Sequence, residues 1–352
     1  MNPLDSPASY AVDASGMFGH IERLGAELEI AWAAHGTSPI AGLSPSSLTL
    51  AGMGGSASAA DYFTALVSRS AAVPISVVRD YRLPGHVGPG SLLAAVSYSG
   101  TTEEALACYS EALERGASTF AVTSGGDLAA LARSHGQPLC KIGYVAPPRA
   151  ALAHMLAPLL GLAPLTGATA FTTDDIGAAG SAHRELVKNA LGRNIPTAAN
   201  AAKQAALAIE PGTVPVIFAA EHLTAAAQRG KNQFAENAKT LAVFEEVPES
   251  THNTVVSLEA TSGARQVALA FDSPLLGPGN RRRIEITARL YEERGFPFHR
   301  FTLSGRSLLA DLWEATAVTD FVSCYLAVLR GIDPTPTPNL TRVRTQAAAE
   351  AV

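Results

Sequence analysis

Three stretches of this 352-residue chain carry side chains whose types and spacing suit chemistry. The densest is 97–102, where Ser97, Ser99, Thr101 and Thr102 crowd around Gly100. A short apolar run, 92–96, precedes it, and 103–116 follows with apolar residues at helical spacing, so the stretch reads as a strand-to-helix turn. Such a turn aims backbone N–H groups and the positive end of a helix dipole at one point, and nearby hydroxyls complete the shell of a phosphate. Ser97, Ser99 and Thr102 are the candidate ligands. Capping of the helix by Ser99 or Thr101 explains the same residues equally well when they are taken alone. A second turn upstream favours the anion: Gly52, Gly54, Gly55, Ser56 and Ser58 also stand between a strand-like and a helix-like run. Glycines there let backbone approach a neighbour or ligand closely. The third stretch holds Glu236, in a helical pattern, and His252, in a loop with Pro248 and Ser250. A carboxylate and an imidazole are a natural pair for moving protons, although a solvated helix carboxylate and a loop histidine look the same in a sequence.

These groups need a frame. Strand-like runs at 46–50, 73–78, 92–96, 118–122 and 139–142 alternate with helical runs at 17–34, 59–67, 103–116 and 149–162. That alternation predicts a doubly wound parallel sheet, with ligands at the carboxyl ends of its strands. Periodicity lapses between 166 and 175, and a second alternation follows: helices over 176–191 and 197–209, a strand at 214–219, a helix over 224–239 and a strand at 241–244. It continues through strands at 267–271 and 298–303 and helices over 282–293 and 307–330. A Pro-rich crossing, 331–338, leads to a last helix, 340–350. The expectation is an α/β protein of two doubly wound, parallel-sheet αβα domains, 1–166 and 176–352. The second repeats the alternation without the phosphate turns, since Ala219, Ala220, Glu221 and His222 stand where the first has glycines.

Composition narrows the class. A net charge of -5 and a single short basic cluster, 281–283, argue against nucleic acid as a partner. The N-terminus has neither the basic start nor the apolar core of a signal peptide, and no membrane partner is expected. Three cysteines, each alone in an apolar stretch, signal no disulfide framework or zinc site and fit a cytoplasmic location. Neither GxxxxGK[ST] nor GxGxxG occurs, GGSAS falls short of the hydrolase elbow GxSxG, and the nine histidines show no HxH or HExxH spacing. No metal and no cofactor is expected.

With these residues in view, the chain resembles the sugar isomerase (SIS) family of double-domain phosphosugar proteins, and within it the bifunctional phosphoglucose/phosphomannose isomerases. The resemblance rests on GMGGS at 52–56, SYSGTTEE at 97–104, TSGG at 123–126, PPRAAL at 147–152, ENAK at 236–239, a Glu-x-x-His-Asn segment at 249–253 and GIDPTPTP at 331–338. It implies two SIS-type domains and aldose–ketose isomerisation of glucose 6-phosphate or mannose 6-phosphate with fructose 6-phosphate. It implies further that Gly55, Ser56, Ser97, Ser99 and Thr102 hold the substrate phosphate, that Arg149 lies beside the reacting carbons, and that Glu236 and His252 are the acid–base pair. A homodimer is implied in which His252 reaches the neighbouring subunit's site. The chain departs from the family pattern at Thr101, where asparagine is usual, at Ala219 and Ala220, and at Arg344, where the last helix normally carries lysine. Arg344 is the matching catalytic candidate, and Thr337, seven residues before it, has a hydroxyl suited to a sugar oxygen. The alternative is a regulator of the same scaffold that binds the phosphohexose without turning it over.

Overall fold

In the computed structural model, residues 2–37, 40, 42–259 and 264–350 are described. The chain enters through α1 (Met17–His35), whose first N–H groups, on Met17 and Phe18, donate to the Asp13 carboxylate at 2.8 and 2.9 Å. The first sheet follows as β1 (Ser47–Ala51), α2 (Gly54–Val67), β2 (Ile75–Val78), β3 (Ser91–Val96), α3 (Glu103–Glu114), β4 (Ser118–Thr123), α4 (Gly126–Ser134), β5 (Leu139–Lys141) and α5 (Leu152–Leu160). Its strands are all parallel, in the order β2-β1-β3-β4-β5. The second half runs α6 (Thr173–Leu186), α7 (Ala201–Ala208), β6 (Val214–Ala220), α8 (Thr224–Ala238), β7 (Val243–Val247), β8 (Gln266–Asp272), α9 (Pro278–Glu293), β9 (Phe298–Thr302), α10 (Leu308–Leu329) and α11 (Pro338–Glu350). Its four strands are again parallel, in the order β7-β6-β8-β9.

The pleat explains why the central strands read as unbroken apolar runs. Leu48, Leu50, Leu92, Ala94, Val96, Phe120 and Val122 point to one face and join the main core. Leu93, Ala95, Ala51 and Ala121 point to the other, into a smaller core closed by Cys108 and Tyr109 of α3 and Leu128 of α4. The main core also takes in Phe218, Ala270 and the buried helix α10, so one apolar interior spans both sheets. Small residues dominate it, as a chain with 6% aromatics requires. The Tyr62 and Thr316 hydroxyls, 2.6 Å apart, stitch α2 to α10.

Several boundaries differ from the sequence expectation, and three of them matter most here. Helix α2 begins at Gly54, five residues early, so the glycine turn is itself the helix's first turn. The expected helix over 149–162 is split into a 3-10 turn, Pro148–Ala150, and α5, with Ala151 between them at φ -91 and ψ 18, outside the helical region. The strand expected at 241–244 is β7, shifted onto Glu245 and Glu246; it is an edge strand, where charged side chains are tolerated.

Candidate functional site

The two hydroxyl turns lie at the carboxyl ends of adjacent strands, β1 and β3. Gly55, in the first turn of α2, presses on the Arg149 segment: a Cβ there would meet the Arg149 Cα and the Pro148 carbonyl at 3.1 Å. Only glycine allows that approach without displacing backbone. Ser56 is buried, and its Oγ accepts the Tyr98 N–H at 3.2 Å and faces the Met155 sulfur at 3.3 Å. After β3, the Ser97 hydroxyl is buried; it donates to Thr102 Oγ1 at 2.8 Å and accepts the Gly100 N–H at 3.0 Å. Thr102 is the N-cap residue of α3, and its side chain makes no capping bond. Ser99 and Thr101 are exposed and bond to each other at 3.0 Å, so neither caps the helix. The turn after β4 braces this loop from behind. Gly100 has φ 73, and a Cβ on it would overlap the Gly125 carbonyl.

A second set of groups meets this cradle through Arg149. Its guanidinium is buried, and Nε donates to Asn237 Oδ1 at 2.9 Å while Nη1 donates to Glu236 Oε2 at 3.1 Å. Nη2 donates to the carbonyls of Pro334 and Thr335 at 2.7 and 2.9 Å. Burial lowers the arginine pKa from its usual value and the Glu236 carboxylate opposes that shift, so the group remains a cation. Glu236 retains 27% side-chain exposure, which leaves it reachable by a ligand. Lys239, in left-handed conformation at the end of α8, donates to the Glu236 carbonyl; burial and the Arg149 charge lower its pKa. The Pro-rich crossing therefore places its carbonyls, and the buried unpartnered Thr335 hydroxyl, beside the Arg149–Glu236 pair. Thr337, half-buried two residues on, accepts the Thr341 N–H at its carbonyl and starts α11.

Sequence reasoning missed the supports. Arg229, Gln233 and Asn237 recur every four residues along α8 and are all buried. Arg229 holds Asp320 with bonds of 2.6 and 3.1 Å and donates to the Arg149 carbonyl at 2.9 Å. Gln233 reaches Asp320 at 2.7 Å, and Asn237 donates to Ser323 at 3.0 Å. The available signal was a polar stripe at helical period in α8 and an aspartate, Asp320, in the middle of the mostly apolar helix α10. Two expected residues stand apart from the centre. His252 is exposed at the end of the 3-10 turn Glu249–His252, and Arg344 is exposed on α11; neither bonds to Arg149 or Glu236 among the described residues.

At the corresponding end of the second sheet the position of an anion is filled from within. Glu221, at φ 56, accepts the Gly277 N–H at 2.8 Å and the Asn280 side chain at 2.9 Å, and pairs with Arg69 at 3.0 Å. A carboxylate of the chain thus occupies the N-terminus of α9, which suits an anion.

Comparison with known proteins adds the following. Residues 198–346 match the bacterial phospho-glucose isomerase C-terminal SIS domain. The chain is 33% identical over 293 residues to a bifunctional phosphoglucose/phosphomannose isomerase of Thermoplasma acidophilum, covering 82% of this chain and 86% of that protein. It is 31% identical over 305 residues to the protein of the same description from Caldicellulosiruptor bescii, covering 86% and 89%. The fold matches the crystal structure of a glucose-6-phosphate isomerase like protein from Thermus thermophilus with a TM-score of 0.65 and 20% identity, over 98% of this chain and 99% of that one.

Proposed function

The chain belongs to the SIS-domain family of bifunctional phosphoglucose/phosphomannose isomerases, is a sugar-phosphate isomerase of that kind, and on that premise we propose that it interconverts glucose 6-phosphate or mannose 6-phosphate with fructose 6-phosphate. The observation that carries this reading is the junction at Arg149. Its backbone packs on Gly55 of the anion cradle, and its side chain is bonded to the half-buried carboxylate of Glu236.

The substrate phosphate sits on Gly55, Ser56, Ser97, Ser99 and Thr102, and its binding energy is used to orient carbons several bonds away. Glu236 takes the proton from C2 of the aldose and returns it to C1 while the hydroxyl proton passes from O2 to O1, which converts aldehyde and secondary alcohol to primary alcohol and ketone through an enediolate. Aldose and ketose are isomers, so no electrons leave the sugar. Arg149 donates hydrogen bonds to the enediolate oxygens as they gain charge and keeps its own protons. Ring opening must come first, and His252, supplied by a second subunit, exchanges the protons of the ring oxygen and the C1 hydroxyl. Arg344 and Thr337, on the last helix and just before it, contribute hydrogen bonds to the sugar rather than protons.

A sugar-phosphate-binding regulator is the second reading, favoured by the absence of any contact between Arg344 and the Arg149–Glu236 pair among the described residues. Coupled assays with each 6-phosphate separate the two. Turnover of either sugar, lost by at least about a thousandfold in Glu236→Gln while binding persists, is expected for a proton-transferring base. Binding of both without turnover establishes the regulator, and near-normal turnover of the Gln variant removes Glu236 from its role.

A further inference from the structure

Tyr98 stands between two phosphate-turn serines and has no part in the scheme above. Its hydroxyl donates to the Tyr144 carbonyl at 2.6 Å and accepts the Ala146 N–H at 3.0 Å. Both partners lie in 143–147, the irregular path from β5 to the turn that bears Arg149. Its backbone N–H donates to Ser56 Oγ at 3.2 Å, and its carbonyl accepts from the Ser124 N–H at 2.9 Å and the Ser124 hydroxyl at 2.7 Å. One residue therefore joins the turns after β1, β3 and β4 to the approach of Arg149.

The segment so joined has few other anchors. Pro147 and Pro148 donate no backbone hydrogen bond. Among the described residues, Tyr98 makes the only hydrogen bonds to the backbone of 143–146. The Tyr144 side chain is anchored by stacking on His154 at 4.5 Å and by a 2.7 Å bond between its hydroxyl and His20 Nδ1, but these hold the ring rather than the backbone, and Val145 is 88% exposed and adds no packing. On the far side, the Arg149 guanidinium is gripped by α8 and the Pro-rich crossing. The backbone that carries it is thus placed from one side by Gly55 and from the other through the Tyr98 hydroxyl.

We propose that Tyr98 is a positioning residue which ties the Arg149 segment to the phosphate turn, so that the anion-bound shape of 97–102 sets where the guanidinium stands. The proposal rests on the isomerase reading for its chemistry. It assigns Tyr98 no contact with substrate: removing its hydroxyl leaves the phosphate ligands in place and loosens the cation.

The test uses the full-length protein as Tyr98→Phe, Arg149→Lys and the double variant. Tyr98→Phe keeps the ring, so thermal unfolding should be unchanged; kcat on fructose 6-phosphate should fall about tenfold while the Kd for inorganic phosphate stays within about twofold. Because Tyr98 acts through Arg149, the Phe substitution should cost less than about twofold in kcat when made on Arg149→Lys. Additive losses, an unchanged kcat in Tyr98→Phe, or phosphate affinity falling in step with kcat would each overturn the proposal while leaving the isomerase reading intact. A wild-type protein that turns over neither 6-phosphate overturns that reading and this inference with it.

Discussion

Single residues of the phosphate cradle divide into those that shape it and those that face outward. The Ser97 hydroxyl is buried and committed to Gly100 and Thr102, whereas Ser99 is exposed and bonded only to its neighbour Thr101. Ser99→Ala should therefore leave folding unchanged and weaken sugar-phosphate binding by about 1–3 kcal/mol, the range for a hydrogen bond to a charged group. Titration calorimetry with fructose 6-phosphate checks this, and an unchanged affinity removes Ser99 from the site. The hydroxyl turns were legible in the sequence because a strand, a run of small hydroxyls and a helix are contiguous. The supports of Arg149 were not, because Arg229, Asn237 and Pro334 reach it from far along the chain, and nothing in a lone sequence says which helix face meets which loop. Resemblance to a family put Glu236 and Arg149 in one site, where their spacing carries no such information, and the bond between them is seen only in the structure.

Secondary elements were read well where periodicity decided and less well where turns did. The βα alternation anticipated the nine strands seen among the described residues, yet the break at Ala151 and the early start of α2 depended on local backbone geometry that apolar spacing does not report. Helix α10 shows how composition alone can mislead. Its 22 residues are long and apolar enough to cross a bilayer, but they are almost wholly buried here, and Asp311 and Asp320 within it are bonded to His222, Ser273 and Arg229. Packing between α1 and α6 yields a stability prediction. His183 on α6 is fully buried, its Nδ1 lies 3.0 Å from where a Cβ on Gly25 of α1 would sit, and neither ring nitrogen has a partner. Burial pushes its pKa from 6.5 down to about 3. The depressed value sets the sign: as pH falls below 6.5 the unfolded chain takes up a proton that the folded chain refuses until about 3, so stability is lost across that window. Between pH 7 and 5 the loss from this group is about 2 kcal/mol. Urea unfolding of wild type and His183→Leu at both pH values tests it: the variant should be less pH-dependent by that amount, and parallel behaviour would assign the acid sensitivity elsewhere.

At the scale of the whole molecule, the two halves hold unequal shares of the chemistry. The first sheet ends in the two hydroxyl turns, whereas at the second sheet the equivalent position is filled by Glu221. Glu236 of α8 and Arg149 meet beside those turns from the two halves, and a continuous core and the Arg229 bond to the Arg149 carbonyl lock the sheets together there. What a single chain does not bring to the centre is an imidazole. His252 is exposed, follows the edge strand β7, and has no hydrogen bond or ion pair among the described residues, so it is free to act on another subunit. If it does, activity requires a closed two-fold assembly in which each site takes Glu236 from one chain and His252 from its partner. Glu236→Gln and His252→Ala homodimers should then each be nearly inactive, while a mixture allowed to exchange subunits regains activity. Each hybrid dimer holds one site with both groups intact and one with neither. Random exchange of equal amounts makes half the dimers hybrid, so recovery should approach about one quarter of wild-type turnover. Mass-tagged subunits report the exchange independently of the assay. Verified hybrids without recovered turnover would mean that one chain supplies both residues of a site or that His252 takes no part in the reaction, and the activity of His252→Ala homodimers alone then distinguishes these outcomes.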